Sequence, residues 1–326
     1  MRVVRDISLV HPAADAHVTV GVFDGVHCGH QRLLGSMAAA AHASGRLAVA
    51  YTFDPHPLAV LGREPPPFLT TMEERAALMT TLDLDVLVVP HFTVNTAHTT
   101  AADFTAALVR YLRMVELWVG PDFALGYRRE GDIPALRRLG AGQGFAVRVV
   151  PSLVCEGTRV SSSRVRDALA VGDVGWAAQC LGRPYRLSGV AGPHAPMAGA
   201  AQAQAVVISP ARRRVVPAAG VYACRVTIGR CQAGTAVAYV DTDGTGGECS
   251  PAIEVYLADC TDDVRGQTVS LDFIARLRDL SGTGSQDRLP ANVLQDIALT
   301  RTLVVQQAAR TTAWPLDYRS PSISNE

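Results

Sequence analysis

The stretch GVFDGVHCGH, Gly21 to His30, follows directly on an apolar run and sets three glycines and two histidines within ten residues. Gly21 ends a predicted strand, while Gly25 and Gly29 let the backbone turn tightly beneath a ligand. His30 is expected to open the next helix, where unpaired N–H groups and the positive end of the helix dipole favour anions. His27 and His30 stand three apart and can both face a phosphate. As imidazolium or as N–H donors, they would stabilise charge building on a phosphoryl oxygen. The GxGxxG register of a dinucleotide turn is missing. Two histidines this close need a third ligand to hold a metal, and neither an HExxH nor a cysteine partner appears, so no metal-ligating residue is assigned. A glycine-rich turn with two surface histidines remains an equal reading of this stretch by itself.

A second stretch, VSSSRVRDAL (160–169), places Ser161, Ser162, Ser163 and Arg166 at the start of an apolar-periodic helix. Hydroxyls cap orphan N–H groups, and here amides, hydroxyls and guanidinium groups meet at one anion-favouring helix end. An ordinary N-cap with solvated arginines is the competing reading. Two such helix starts in one parallel-sheet domain, each following a strand, fit a phosphate site better.

The elements needed to position them are legible. VTVGVF, LAVAYTF, DVLVVPHF, ELWVGPDF and FAVRVVP alternate with helix-length segments such as HQRLLGSMAAAAHASG, TMEERAALMTTL, TAADFTAALVRYLR and IPALRRLGAGQG. DPHPLAVLGREPPP is read as a loop. This alternation predicts right-handed βαβ units and a parallel sheet covered by helices. Ser161 to Leu181 reads as one or two further helices. From about Tyr185 the rhythm changes to short β-branched runs, VYACRVTIG, TAVAYV, IEVYLADC and QTVSLDFI, which predict an antiparallel sheet or small barrel. A helical tail follows, and the last dozen residues are expected to fray.

The 326 residues suffice for two cores, and the formal net charge of zero gives no bulk attraction to nucleic acid or an anionic membrane. No apolar run approaches the ~18 residues of a membrane span. The amino-terminal stretch lacks the apolar core of a secretory leader. Seven scattered cysteines without a CxxC pair read as reduced thiols of a cytoplasmic protein, with no disulfide and no structural zinc expected.

GVFDGVHCGH and VSSSRVR are similar to the (T)GxFDGxHxGH and ISSTxxR motifs of the nucleotidyltransferase superfamily. More narrowly, the chain resembles the bacterial bifunctional riboflavin kinase/FAD synthetase family. TFDPHP (52–57), FLTTMEERAALM (68–79), VGPDFALGYRREGD (119–132) and VSSSRVRDALAVGDVGWAAQCLGRPYRLSG (160–189) occur in family order and spacing. The likeness spans nearly the whole chain and is strong to about residue 189. It implies a Rossmann-like α/β nucleotidyltransferase domain with a parallel sheet, residues 1–186. After it would come a small antiparallel riboflavin-kinase-like β-barrel with a C-terminal helix, residues 187–326.

In that family the first domain transfers AMP from ATP to FMN and releases pyrophosphate. By resemblance, Gly21, Phe23, Asp24, Gly25, His27, Gly29 and His30 would line the ATP site. Ser161, Ser162, Ser163 and Arg166 would hold the β- and γ-phosphates, Ser163 standing where the family has threonine. Asp122 and Phe123 match the flavin-side motif, and Phe53, Pro55, His56 and Pro57 match its TFxPHP loop. For Phe123, core packing is the competing role. Positioning and charge neutralisation by His27, His30, Arg166 and Mg²⁺ would be the catalytic means.

The second half departs from the family. GVYACRV, IEVYLADC and VSLDFIARLRDL keep its frame, and Glu254 matches the presumed catalytic base. The PTAN motif, whose Thr and Asn bind Mg²⁺ and ATP phosphates, falls on Ala201, Gln202, Ala203 and Gln204, and GPHAPMAG (192–199) replaces the phosphate loop. Kinase activity is therefore expected to be lost. The barrel is left to packing, homo-oligomerisation or gripping a flavin-like ligand. Two other functions stay open: nucleotidyl transfer to another phosphorylated metabolite or from another NTP, and non-catalytic binding of a flavin or nucleotide.

Overall fold

A computed structural model describes residues 1–192, 204–229, 232–241, 253–258, 260, 263–280 and 293–311. Its contacts divide the chain into two compact units. The first comprises Met1–Pro66 and Thr70–Val160; the second begins at Ser161 and includes Pro67–Leu69.

In the first unit, β1 (Arg2–Val4), β2 (Ala16–Val20), β3 (Leu47–Tyr51), β4 (Val86–Val88), β5 (Met114–Val119) and β6 (Ala146–Val149) pair in parallel in the order β1-β4-β3-β2-β5-β6. The helices are α1 (Cys28–Ala43), α2 (Pro57–Val60), α3 (Met72–Thr80), α4 (Val94–Ala97), α5 (Ala101–Leu112) and α6 (Ile133–Gln143). Strands sandwiched between helix layers bury both faces, so LAVAY is an unbroken apolar run and AHVTV is buried at every residue. One face packs Val18, Val49, Val88 and Leu117 against α5 residues Leu108 and Leu112. The other packs Ala48, Ala50, Leu87 and Trp118 against α1 residues Leu34 and Met37. Boundaries follow local chemistry: α3 opens on a Thr71–Glu74 capping box, and α6 closes on Gly144 at φ 82°. α2 corrects the reading of DPHPLAVLGREPPP as loop, because Pro57 stands at the first helical position and His56 Nδ1 accepts from Leu58 N at 3.1 Å. The chain runs from β2 to β3 on one side and places β5 on the other. The carboxyl ends of β2 and β5 therefore flank a topological switch point, where doubly wound sheets bind ligands. A short antiparallel pair, β7 (Val154–Cys155) and β8 (Thr158–Arg159), completes this unit among the described residues.

Of the two polar residues in β2, His17 and Thr19, His17 carries a titratable ring. It is 3% exposed and stacks on Trp118, while Arg46 Nη1 lies 3.3 Å from its Nε2. A guanidinium can only donate, so Nε2 accepts and the ring is neutral. Burial pushes the imidazole below its ordinary range, Glu116 pulls it up, and Arg46 and Arg148 push it down again. The unfolded chain thus binds the extra proton first as pH falls below about 6.5. Stability contributed by this site is full above that pH and is lost as pH falls through the folded value. Thermal midpoints measured from pH 7.5 down to 5 are expected to drop. His17→Gln, which keeps an acceptor for Arg46, is expected to flatten that slope.

The second unit opens with α7 (Ser162–Ala170) and α8 (Val174–Leu181). Then β9 (Tyr185–Gly192), β10 (Gln204–Pro210), β11 (Gly220–Ile228), β12 (Gln232–Val240), β13 (Ile253–Leu257) and β14 (Thr268–Arg278) close an antiparallel barrel in the order β10-β13-β12-β11-β14-β9. Closure removes the exposed edges that an open sheet of this size would present. Tyr185, Tyr222 and Phe273 are fully buried, with Tyr222 edge-on to Phe273 at 5.3 Å. The C-terminal helix α9 (Val293–Thr311) packs Val293 and Ile297 on Val221, Val237, Tyr239 and Tyr256. Asp296 pins it there, accepting from Tyr239 Oη at 3.0 Å and Arg278 Nη2 at 2.9 Å. Burial and this carboxylate push the Tyr239 phenol up, so it remains a donor. The described architecture is the α/β sheet plus barrel and C-terminal helix that the sequence implies. Residues 193–203, which hold most of GPHAPMAG and AQAQ, and the last dozen residues lie outside the described residues; Gln204 opens β10.

Candidate functional site

Beyond Val20 the chain makes a compact, left-handed turn: φ is 53° at Phe23, 79° at Gly25 and 40° at Val26. Non-glycine residues hold such angles only when their surroundings impose them. Asp24 is what imposes them here. Its buried Oδ1 accepts from Thr70 N and Thr70 Oγ1, both at 3.1 Å, and Thr70 Oγ1 in turn accepts from Gly25 N at 3.0 Å. Gln31 Nε2 donates to Val26 O at 2.8 Å from the following helix.

That helix starts at Cys28, so His30 occupies its third position rather than its first, correcting the expectation that His30 opens it. The cap is His27, whose Nδ1 accepts from His30 N at 3.2 Å. The His27 proton accordingly sits on Nε2. The two imidazoles stack, centroids 3.6 Å apart at 17°, and Phe23 meets His30 edge-on at 5.3 Å. Burial pushes the His30 imidazole well below its ordinary range, and His27 and Arg75 push it further. Of the two protonation states admitted by the sequence, the neutral donor is the one this turn sets. A Cβ at Gly29 would stand 3.1 Å from the His27 ring and could be accommodated only if that ring shifted.

Beside the turn lies a cavity of about 840 Å³ lined by Gly21, Phe53, His56, Pro57, Phe92, Phe104, Asp122, Phe123 and Tyr127, with Arg63, Arg128 and Arg129 among its charged groups. Gly21 belongs to both features. It lines the cavity, and a Cβ on it would lie 2.8 Å from the Phe23 ring. Phe123 has both of its expected roles, since it lines the cavity and also packs partly on the core. Asp122 pairs with Arg159 Nη1, while its carbonyl accepts from Arg129 Nη2 at 3.1 Å. The peptide bond from Asp54 to Pro55, in the segment between Phe53 and His56, is cis.

Gly21, Phe23, Asp24, Gly25, His27, Gly29, His30, Phe53, Pro55, His56, Asp122 and Phe123 thus all fall in the first unit, at or beside the carboxyl ends of β2, β3 and β5. Ser161, Ser162, Ser163 and Arg166 belong to the second unit. There Ser161 is the N-cap of α7, its Oγ accepting from Arg164 N at 3.3 Å, with Ser162 and Ser163 in the first turn. Arg166 Nε donates to Pro67 O at 2.7 Å.

Three residues of the first unit carry weight that the sequence reading passed over. Thr70 ties Asp24 to Gly25, Arg159 pairs Asp122, and Arg75 sits 3.6 Å from Asp24 with both side chains about 5% exposed or less. A signal existed for Arg75: Met72, Arg75, Ala76 and Met79 share the i, i+3, i+4, i+7 stripe, so this charge interrupts an apolar face. Arg159 offered none, its partner lying 37 residues away.

A parallel sheet with paired imidazoles at its switch point, followed by a closed antiparallel barrel, defines a two-unit transferase of nucleotidyltransferase type. The comparisons agree. Residues 10–164 match the model of FAD synthetase, and residues 181–304 that of riboflavin kinase. The chain is 31% identical over 313 residues to the bifunctional riboflavin kinase/FMN adenylyltransferase of Pseudomonas fluorescens, covering 95% of this chain and all of that one. Against the Escherichia coli enzyme of the same name it is 30% identical, covering 91% of this chain and 96% of that one. A crystal structure described as a macrolide-efflux protein from Streptococcus pneumoniae superposes with a TM-score of 0.80 at 26% identity, over 92% of this chain and 98% of that one. This chain belongs to the bifunctional riboflavin kinase/FMN adenylyltransferase family.

Proposed function

We propose that the protein transfers AMP from ATP to FMN, or to a close flavin analogue, and that its barrel no longer phosphorylates riboflavin. One observation carries the first part: a neutral, stacked imidazole pair at a helix start shares Gly21 with an aromatic-lined cavity. A flat, apolar ring system suits the cavity, and a phosphate suits the turn. The two meet at one residue, as joining a flavin phosphate to a nucleotide requires.

The chemistry needs little covalent help. At neutral pH the FMN phosphate is largely ionised, its second pKa being about 6 as for other phosphomonoesters. One of its oxygens attacks the α-phosphorus of ATP, the bond from that phosphorus to the bridging oxygen of the β-phosphate breaks, and the electron pair leaves with pyrophosphate. No proton need be removed from the nucleophile. His27 Nε2–H and the ring N–H of His30 would stabilise the developing charge, with the amino end of α1 behind them. The family resemblance assigns Ser161, Ser162, Ser163 and Arg166 to the departing phosphates. Phe53, His56, Asp122 and Phe123 hold the flavin. Adenylyl transfer is assigned to residues 1–186 and the barrel to 187–326. Among the described residues, no three His, Cys, Asp or Glu side chains form a metal-holding set. Mg²⁺ would enter on the phosphates of ATP, where it would supply charge neutralisation. No helix of the described residues is long and apolar enough to cross a membrane.

The test is pyrophosphate release with ATP and Mg²⁺, comparing FMN with a panel of other phosphorylated metabolites. FMN-dependent release with FAD as product is expected. If FMN is inert while another phosphate turns over, the acceptor is wrong though nucleotidyl transfer stands.

A further inference from the structure

Resting on that reading, we propose that Arg75 is a positioning residue of the transfer site, a buried permanent cation that braces the His27–His30 turn through Asp24 and lends its charge to the incoming triphosphate. Arg75 comes from α3, outside the turn, and is 5% exposed. Its close ion-pair contact is Asp24, at 3.6 Å too long for a hydrogen bond, while Asp54 and Glu73 act on it through their charge from further off. The Asp24 Oδ1 that faces it already accepts twice from Thr70. Arg75 Nε is buried with no partner, and so is His30 Nδ1.

A guanidinium kept only for packing would be expected to have its donors filled, because burying a charge without full hydrogen bonding is costly. Here the balance of buried groups is lopsided. Arg75 Nε and His30 Nδ1 are both buried and unfilled, at a helix start that itself favours anions. Such a surplus is compensated when an anion arrives. The titratable and charged groups that act on His30 are His27 from its own helix start and Arg75 from α3, both opposing protonation. His30 therefore stays an uncharged donor until the phosphates enter. A neutral donor also releases pyrophosphate more readily than a fixed ion pair would.

The experiment compares Arg75→Met and Arg75→Lys. Binding of inorganic tripolyphosphate and of ATP is measured by calorimetry, and the His30 titration midpoint by NMR of ring-labelled histidine. Removing the charge is expected to weaken tripolyphosphate binding about tenfold or more, as for a unit charge acting over several ångströms in a protein-like dielectric. It is also expected to raise the His30 midpoint, with lysine restoring both. Where Arg75→Met leaves Asp24 uncompensated and fails to fold, the neutral pair Asp24→Asn/Arg75→Met takes its place. Unchanged tripolyphosphate affinity together with an unchanged His30 midpoint overturns the proposal while leaving adenylyl transfer intact. Failure of the unsubstituted protein to bind ATP overturns the functional reading, and this proposal falls with it.

Discussion

Given riboflavin, ATP and Mg²⁺, the protein is expected to form FMN at least about 10⁴-fold more slowly than an intact riboflavin kinase module, because each lost preorganised contact costs ~10²–10³ in rate. Two such contacts are replaced when Gln202 and Gln204 stand where the family carries Thr and Asn, and the phosphate loop is replaced as well. Glutamine keeps an amide but places it one methylene further out than asparagine, so neither geometry nor ligand type is preserved. Glu254, the residue that matches the presumed base, survives in β13 at the row where it faces Tyr239 and Val207 on the adjoining strands. Its Oε1 accepts from Tyr256 Oη at 2.7 Å, and burial together with this carboxylate pushes the phenol up. Tyr256 therefore stays protonated and goes on donating. One lone pair of the carboxylate is spent on that bond, on the side of the barrel that packs against α9. Chromatographic detection of FMN over time checks the expectation. Steady FMN production at an ordinary enzymatic rate would show that the glutamines had built a working phosphate site of their own.

The parts of this molecule that were legible in the sequence are those encoded by short-range pattern. Continuous apolar runs such as LAVAY can only be buried strands or short buried helices, and their regular spacing by helix-length segments selects a parallel sheet. The switch to alternating, β-branched runs near Tyr185 marks β9 and the barrel for the same reason. The glycine and histidine turn was legible as a turn because three glycines and two histidines fall within ten residues. What escaped was assembled across the chain. The cavity draws Phe53, Phe92, Phe104 and Tyr127 from four separate segments, and no window of sequence contains them together. Thr70 became visible only when its 45-residue separation from Gly25 closed to a 3.0 Å hydrogen bond. The helix start was misplaced by two residues because a histidine, rather than serine or aspartate, supplies the cap.

Replacing His30 by alanine is expected to lower kcat for FMN adenylylation by ~10²–10³ while changing the KM for ATP by less than about tenfold. The asymmetry follows from where the ring is. Held by Phe23 on its edge and His27 on its face, and kept neutral by burial, His30 carries no standing charge with which to attract ATP in the ground state. Its contribution grows only as charge gathers on the phosphoryl oxygens, so truncation removes transition-state stabilisation rather than affinity. His27→Ala is a poorer probe of the same idea. It deletes the α1 cap as well, a loss of about 1 kcal/mol in stability that would be mixed with any effect on rate. His30→Ala spares that cap, since the donor to His27 Nδ1 is the backbone N–H of residue 30 and not its side chain. Steady-state kinetics with ATP varied at saturating FMN separates the two constants. An equal loss in ATP binding and in turnover would mean the imidazole holds the nucleotide without assisting its reaction, the behaviour of a binding protein built on an enzyme's frame.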